Sequence, residues 1–156
     1  MKKNNSEWSV QCRPSVKLER THDEAILPSY KKDGDAGADV SSVTETVIQP
    51  SCRGLIDLGF KIQIQSGWEV QVRPRSGLAL RDGITVLNSP GTIDSGYRGK
   101  CGVILQNNSE HPFAVRVGDR VAQFVLKRAP QGDFTWTDSV SVSERGEGGF
   151  GSTGVS

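Results

Sequence analysis

No stretch of this chain is apolar for long enough to enter a membrane. Its first residues, MKKNNSEWSVQ, carry charge and no apolar run, so neither a signal peptide nor an anchor is expected. The charge excess of a general nucleic-acid binder is missing too. Lys and Arg total 19 against 18 Asp and Glu, a net of +1, and no basic stripe breaks the balance, so nucleic acid is not an expected partner. Arg73, Arg75, Arg98 and Arg145 remain as local cations for a small anionic ligand. Cysteine is scarce: Cys12, Cys52 and Cys101 are widely spaced and form no Cys-x-x-Cys pair, while His22 and His111 stand alone. That spacing disfavours zinc. The cysteines read as reduced thiols of the core or surface, in a protein of the cytoplasm, or of a host's cytoplasm.

Helical periodicity is nearly absent, and strand patterns take its place. The stretches KIQIQ (61–65) and WEVQVR (68–73) alternate apolar and polar residues, whereas CGVILQNN (101–108) and RVAQFVLKRA (120–129) are short apolar runs suited to buried strands. Turn residues separate them at KKDGDAG (31–37), IQPSCRG (48–54), SG (66–67), NSPG (88–91), NNSEHP (107–112) and VGDR (117–120). Only SGLALRDG (76–83) suggests a helix, of about two turns. There is no internal repeat. With 156 residues, one domain is expected, able to bury about 70% of its unfolded surface. The pattern predicts an all-β fold, a distorted jelly roll or barrel with one short helix. Residues 1–14 read as a loose extension, 15–142 as the β domain, and 143–156 as a flexible glycine-rich arm.

Five stretches are more specific than ordinary β-turns: DAGADV (35–40), RPRSGLAL (73–80), NSPGTIDSGYRG (88–99), RVAQFVL (120–126) and RGEGGFGSTG (145–154). Ser76 opens the helix-like segment. It suits an N-cap, and equally an anion site where free amides and the Arg75 fork meet a phosphate. Asp94 sits in an apolar-flanked turn, either binding nearby backbone or acting as a general base for an attacking water. Tyr97 offers a flat face near it, and Asn88 carries both a donor and an acceptor for a planar polar ligand, or serves only the turn. Gln123 interrupts an apolar strand, as an edge residue or a ligand contact. In the arm, Phe150 stands alone among glycines behind Arg145 and ahead of Ser152 and Thr153. Such a segment is either a disordered terminus or a nest for phosphate with a ring to stack on a base.

In this order and spacing, the five stretches resemble the five motifs of the trimeric, all-β dUTP pyrophosphatases, over about residues 16 to 154. The resemblance implies hydrolysis of dUTP to dUMP and pyrophosphate, which limits uracil in DNA and supplies dUMP for thymidylate synthesis. By that resemblance Asp94 activates the water and Tyr97 packs under the deoxyribose, excluding a 2′-hydroxyl. Asn88 and the backbone of the 88–103 hairpin, Gly91 included, read uracil. Arg75, Ser76, Gly77 and Gln123 match phosphate-contacting positions, and Arg145, Phe150, Gly151, Ser152 and Thr153 match an arm that closes over the nucleotide. Mg²⁺ is the implied cofactor, held by substrate phosphates and waters with Asp39 in support and no direct protein ligand. The implied partners are dUTP and two further copies of the chain, in a homotrimer with shared sites.

Two positions depart from the family pattern, Ala38 where a larger residue is usual and Lys100 where an acidic or small polar one is common. A dCTP deaminase of the same fold would carry a catalytic glutamate at the position of Ile104, which argues against deamination. A catalytically idle relative, serving as nucleotide sensor or protein-binding module, is the other alternative. Retention of Asp94, Tyr97, Arg145 and Phe150 speaks against it.

Overall fold

The computed structural model describes residues 13–149. The strands in the first half of the chain are β1 (Val16–Arg20), β2 (Ala38–Ser41), β3 (Thr46–Ile48), β4 (Arg53–Ile64) and β5 (Trp68–Arg73). After the helix α1 (Ser76–Asp82) come β6 (Ile84–Val86), β7 (Gly91–Ile93), β8 (Lys100–Asn107), β9 (Phe113–Val115) and β10 (Arg120–Arg128). The period-two stretch 68–73 is β5, with Val70 and Val72 turned inward. Alternation in β8 likewise buries Cys101, Val103, Leu105 and Asn107. Strand β4 is twelve residues long and takes in the first four residues of the KIQIQ pattern at its end.

The strands form two four-stranded antiparallel sheets, ordered β1-β4-β8-β6 and β2-β10-β5-β7, and a small β3-β9 pair. Their inner faces share one core that includes Val40, Ile56, Leu58, Val103, Leu105 and Val121. Phe60 of β4 meets Phe124 of β10 edge to face at 6.2 Å, joining the two large sheets. The architecture is the expected all-β jelly-roll type with one short helix.

Two expectations change in detail. The segment 88–103 is not a hairpin: β7 pairs with β5, while β8 pairs with β4 and β6, so the chain crosses from one sheet to the other. Strand β8 is flanked by β4 and β6 within its own sheet, which leaves β7 to pair with β5. Ser76 is not the N-cap of α1. Arg75 holds that position in extended backbone (φ −88°, ψ 126°) and no side chain caps the helix. At its other end Gly83 adopts φ 64° and donates to the Leu78 carbonyl, closing the helix as glycine does.

Asn107, read from sequence at the join of a strand run and a turn, pins the β8–β9 connection. Fully buried, its Nδ2 donates to the Ile48 carbonyl at 2.9 Å and the His111 carbonyl at 2.8 Å. Its Oδ1 accepts from Ser109 N at 2.9 Å and Ser109 Oγ at 2.8 Å. Buried groups left without partners cost about 1–3 kcal/mol each, so Asn107→Ala is expected to lose about 3 kcal/mol or more. Urea unfolding checks this as a lower midpoint at unchanged slope. A loss under about 1 kcal/mol would mean that water replaces the amide.

Candidate active site

A cavity of about 510 Å³ opens where β7 crosses to β8. Its walls include Val72 and Ile93, its polar groups Asn88, Asp94 and Tyr97. Apolar walls with a few converging polar groups make a small-molecule site. Gly91 begins β7 buried opposite Val72, and a Cβ there would stand 3.1 Å from both Asn88 Nδ2 and Val72 Cβ. The glycine therefore lets the Asn88 amide lie against the sheet.

The turn after β7 shapes the rim. Tyr97 N donates to the Asp94 carbonyl at 3.1 Å, and the Tyr97 hydroxyl donates to the Lys100 carbonyl at 2.7 Å. The ring folds back over Gly99 so closely that a Cβ there would lie 2.5 Å from the phenol oxygen. Arg98 gives Nη1 to the carbonyls of Ser95 and Tyr97, which engages it in the turn. Among the described residues, by contrast, nothing hydrogen-bonds to the Asp94 carboxylate. Asp94 is thus an exposed carboxylate on the cavity's edge instead of a backbone cap. Cys101, at the back of the cavity, is buried. Its thiol is pushed up to about 12, first by burial and then by the charge of Asp57, so it stays protonated.

A second constellation lies across β2, β10 and β5, in the sheet that also carries β7. Asp39, Gln123 and Arg73 share one rung of β2, β10 and β5. Asp39 is buried, and Gln123 Nε2 donates to its Oδ1 at 3.0 Å while Arg120 Nη1 donates to its Oδ2 at 2.7 Å. Arg75 Nε approaches Oδ1 at 3.4 Å, and Arg75 Nη1 donates to the Arg120 carbonyl at 2.9 Å. Burial pushes the Asp39 carboxyl upward, but the hydrogen bonds from Gln123 and Arg120 and the charges of Arg75 and Arg120 outweigh it, leaving it below its ordinary value of 3.8. Arg73 is held instead by Gln71 Oε1, at 3.2 and 2.6 Å. Ser76 and Gly77 are exposed in the first turn of α1, next to Arg75.

The structure thus gathers the sequence candidates into two groups: Asn88, Gly91, Asp94 and Tyr97 at the cavity, and Asp39, Arg75 and Gln123 in the ionic cluster. No member of the cluster lines the cavity. Arg145 is exposed, its Nε donating to the Gly148 carbonyl at 2.9 Å. Phe150, Gly151, Ser152 and Thr153 lie outside the described residues. Sequence reading missed Arg120. Its position at the start of a core strand looks like an ordinary strand-end charge, and only the β2–β10 register brings it to Asp39, 81 positions away.

Among the described residues, no three or more His, Cys, Asp or Glu cluster to hold a metal ion. Both Asp39 oxygens already accept hydrogen bonds, so Asp39 suits support of a metal carried by a ligand better than direct ligation. No helix among the described residues is long and apolar enough to cross a membrane.

A family profile described as dUTPase matches residues 23–154. The chain is 50% identical over 141 residues to a deoxyuridine 5'-triphosphate nucleotidohydrolase of Alkaliphilus metalliredigens, covering 90% of this chain and 98% of that one. It is 49% identical over 140 residues to the enzyme of the same name from Helicobacter hepaticus, covering 90% and 89%. Among solved structures, Staphylococcus bacteriophage 80alpha dUTPase with dUPNHPP superposes with a TM-score of 0.85 at 25% identity, covering 90% of this chain and 99% of the phage chain. A mutant dUTPase from phage phi11 of S. aureus, described with coordination of a structural Mg(II) ion, shares the fold with a TM-score of 0.75 at 19% identity, over 82% and 99%.

Proposed function

This chain belongs to the dUTPase family, and we infer from that membership that it hydrolyses dUTP to dUMP and pyrophosphate. The observation that carries the division of labour is the Asp94 carboxylate, unpaired among the described residues, at the rim of a nucleoside-sized cavity. Asp94 orients a water and takes its proton as the oxygen attacks the α-phosphorus. The bond to the bridging oxygen breaks and pyrophosphate leaves with the electron pair. A positioned base of this kind contributes about 10²–10⁴ in rate. Tyr97, pinned by its hydroxyl and by Gly99, lies against the deoxyribose. Asn88, with backbone groups beside Gly91, reads the uracil edge. A base whose donors and acceptors mismatch leaves buried groups unpaired, at about 1–3 kcal/mol each.

Arg75, Ser76, Gly77 and Gln123 receive the phosphates and stabilise charge on the leaving pyrophosphate. Mg²⁺ carried on the triphosphate neutralises part of its charge when bound. Asp39 supports that region through the groups it holds in place.

The homotrimer is part of the same proposal, with each site drawing on three chains. Three features support it. The cavity and the ionic cluster are separate within one chain. Helix α1 buries none of its residues although Leu80 is 89% exposed, and Leu55 on the outer face of β4 is 72% exposed. Beyond β10, residues 130–149 contain no strand, and Phe134 and Trp136 are fully exposed. The arm that closes over the nucleotide is taken as 143–156, with 1–14 as an N-terminal extension, and the enzyme is placed in the cytoplasm or a host's cytoplasm.

The purified protein with Mg²⁺ is expected to release pyrophosphate from dUTP and to leave dCTP and dTTP largely intact. Ammonia from dCTP would assign it to the deaminase class instead. Tight dUTP binding without turnover would make it a nucleotide sensor.

A further inference from the structure

Arg120 carries no role in the reaction described above, yet it makes the shortest contact in the ionic cluster, 2.7 Å from Nη1 to Asp39 Oδ2. Asp39 is a nearly buried carboxylate, its side chain 5% exposed, and two arginines flank it. A carboxylate with both oxygens free takes one arginine in a two-bond fork, and such a fork uses the guanidinium edge that a phosphate would need. In this cluster the fork does not form. Arg120 occupies Oδ2, and Gln123 shares Oδ1 with a longer 3.4 Å approach from Arg75 Nε. The Arg120 backbone also takes part, since its carbonyl accepts Arg75 Nη1 at 2.9 Å. Arg75 Nη2 has no hydrogen-bond partner among the described residues. Arg75 is therefore held through Nε and Nη1, which leaves Nη2 free, with its side chain 23% exposed.

We propose that Arg120 is a positioning residue: by occupying Asp39 Oδ2 it prevents Asp39 from closing a two-bond pair with Arg75, and so keeps Arg75 turned toward the substrate's phosphates. This rests on the reading of the site as a dUTP hydrolase with Arg75 on phosphate. Without the Arg120 guanidinium, the buried carboxylate has one cation within reach, and Arg75 turns inward to satisfy it. The phosphates then meet a neutral pair instead of a net positive charge.

The mechanism makes a prediction whose sign differs from that of a simple structural role. Arg120→Met is expected to lower kcat/KM for dUTP about tenfold, the scale of one lost charge-assisted contact. Removing the capturing carboxylate should release Arg75, so Asp39→Asn combined with Arg120→Met is expected to recover at least about threefold over Arg120→Met alone; the Asn side-chain oxygen still accepts from Gln123. Arg75→Met combined with Arg120→Met is expected to be no worse than Arg75→Met, because Arg120 acts through Arg75. Arg120→Lys, which keeps a cation at Oδ2, should stay within about threefold of wild type.

Steady-state kinetics with dUTP, and thermal midpoints to confirm folding, decide the matter. An unchanged Arg120→Met, additive losses with Arg75→Met, or a further loss on adding Asp39→Asn would each overturn the proposal. Additivity would make Arg120 a direct phosphate contact. If Arg120→Met does not fold, Arg120→Lys carries the test, and a tenfold loss in that variant overturns the proposal. A wild-type protein that fails to turn over dUTP fails the underlying reading, whereas an active wild type with an equally active Arg120→Met fails only this inference.

Discussion

Asp94→Asn is expected to bind the nucleotide and to turn it over at least about a hundredfold more slowly. The amide keeps the size and one acceptor oxygen of the carboxylate, so the cavity formed with Asn88 and Tyr97 stays intact. What it loses is the ability to take a proton from water as the phosphorus is attacked. Among the described residues Asp94 accepts no hydrogen bond through its carboxylate, so the substitution breaks no internal contact, and its effect falls on kcat with little on stability. Calorimetric binding of a non-hydrolysable dUTP analogue, paired with pyrophosphate release from dUTP, separates the two effects. Near-normal turnover would remove Asp94 from the mechanism. Loss of binding alone would make it a ligand contact.

Deleting residues 145–156 is expected to remove most activity, roughly 10²-fold or more if Arg145 stabilises charge on the phosphates, while leaving the β domain folded. Beyond β10, which ends at Arg128, no strand among the described residues contributes to the sheets, and the core is built from residues 38 to 126 and their neighbours. Among the described residues, the hydrogen bonds of Arg145 and Gly146 are local, to Gly148 and Ser143. Their removal therefore exposes no apolar surface of the core. Unchanged thermal unfolding together with lost turnover is the expected pair of results. Full activity of the truncated chain would reduce the arm to a linker, and an unfolded product would make it part of the domain.

How far these sites were legible from sequence differs from one element to the next. The alternation of 68–73 and the run at 120–128 became β5 and β10 nearly to the residue, because each buries one face and hydrophobic period follows burial. Strand β2 was hidden. All four of its residues are buried, but two are Asp39 and Ser41, so ADVS reads as a polar turn. A buried carboxylate inside a strand has no local signature when its partners come from residues 75, 120 and 123. The same holds for Asn107, whose side chain gathers the Ile48 carbonyl from 59 positions away.

By itself the sequence determined the local chemistry of this protein. It carries the strand periods, the short helix closed by Gly83, the Asp94–Tyr97 turn, and five motifs whose order resembles that of the family. These are properties of residue type and spacing over a few positions, which backbone sterics and burial act on directly. Tertiary structure alone decided which groups meet. Antiparallel register placed Asp39 against Gln123 and Arg120, the crossing from β7 to β8 opened the cavity beside Asp94, and the two constellations came to rest apart on one chain. Those pairings depend on contacts between residues far apart in the chain, and one-residue slips in register would change every partner.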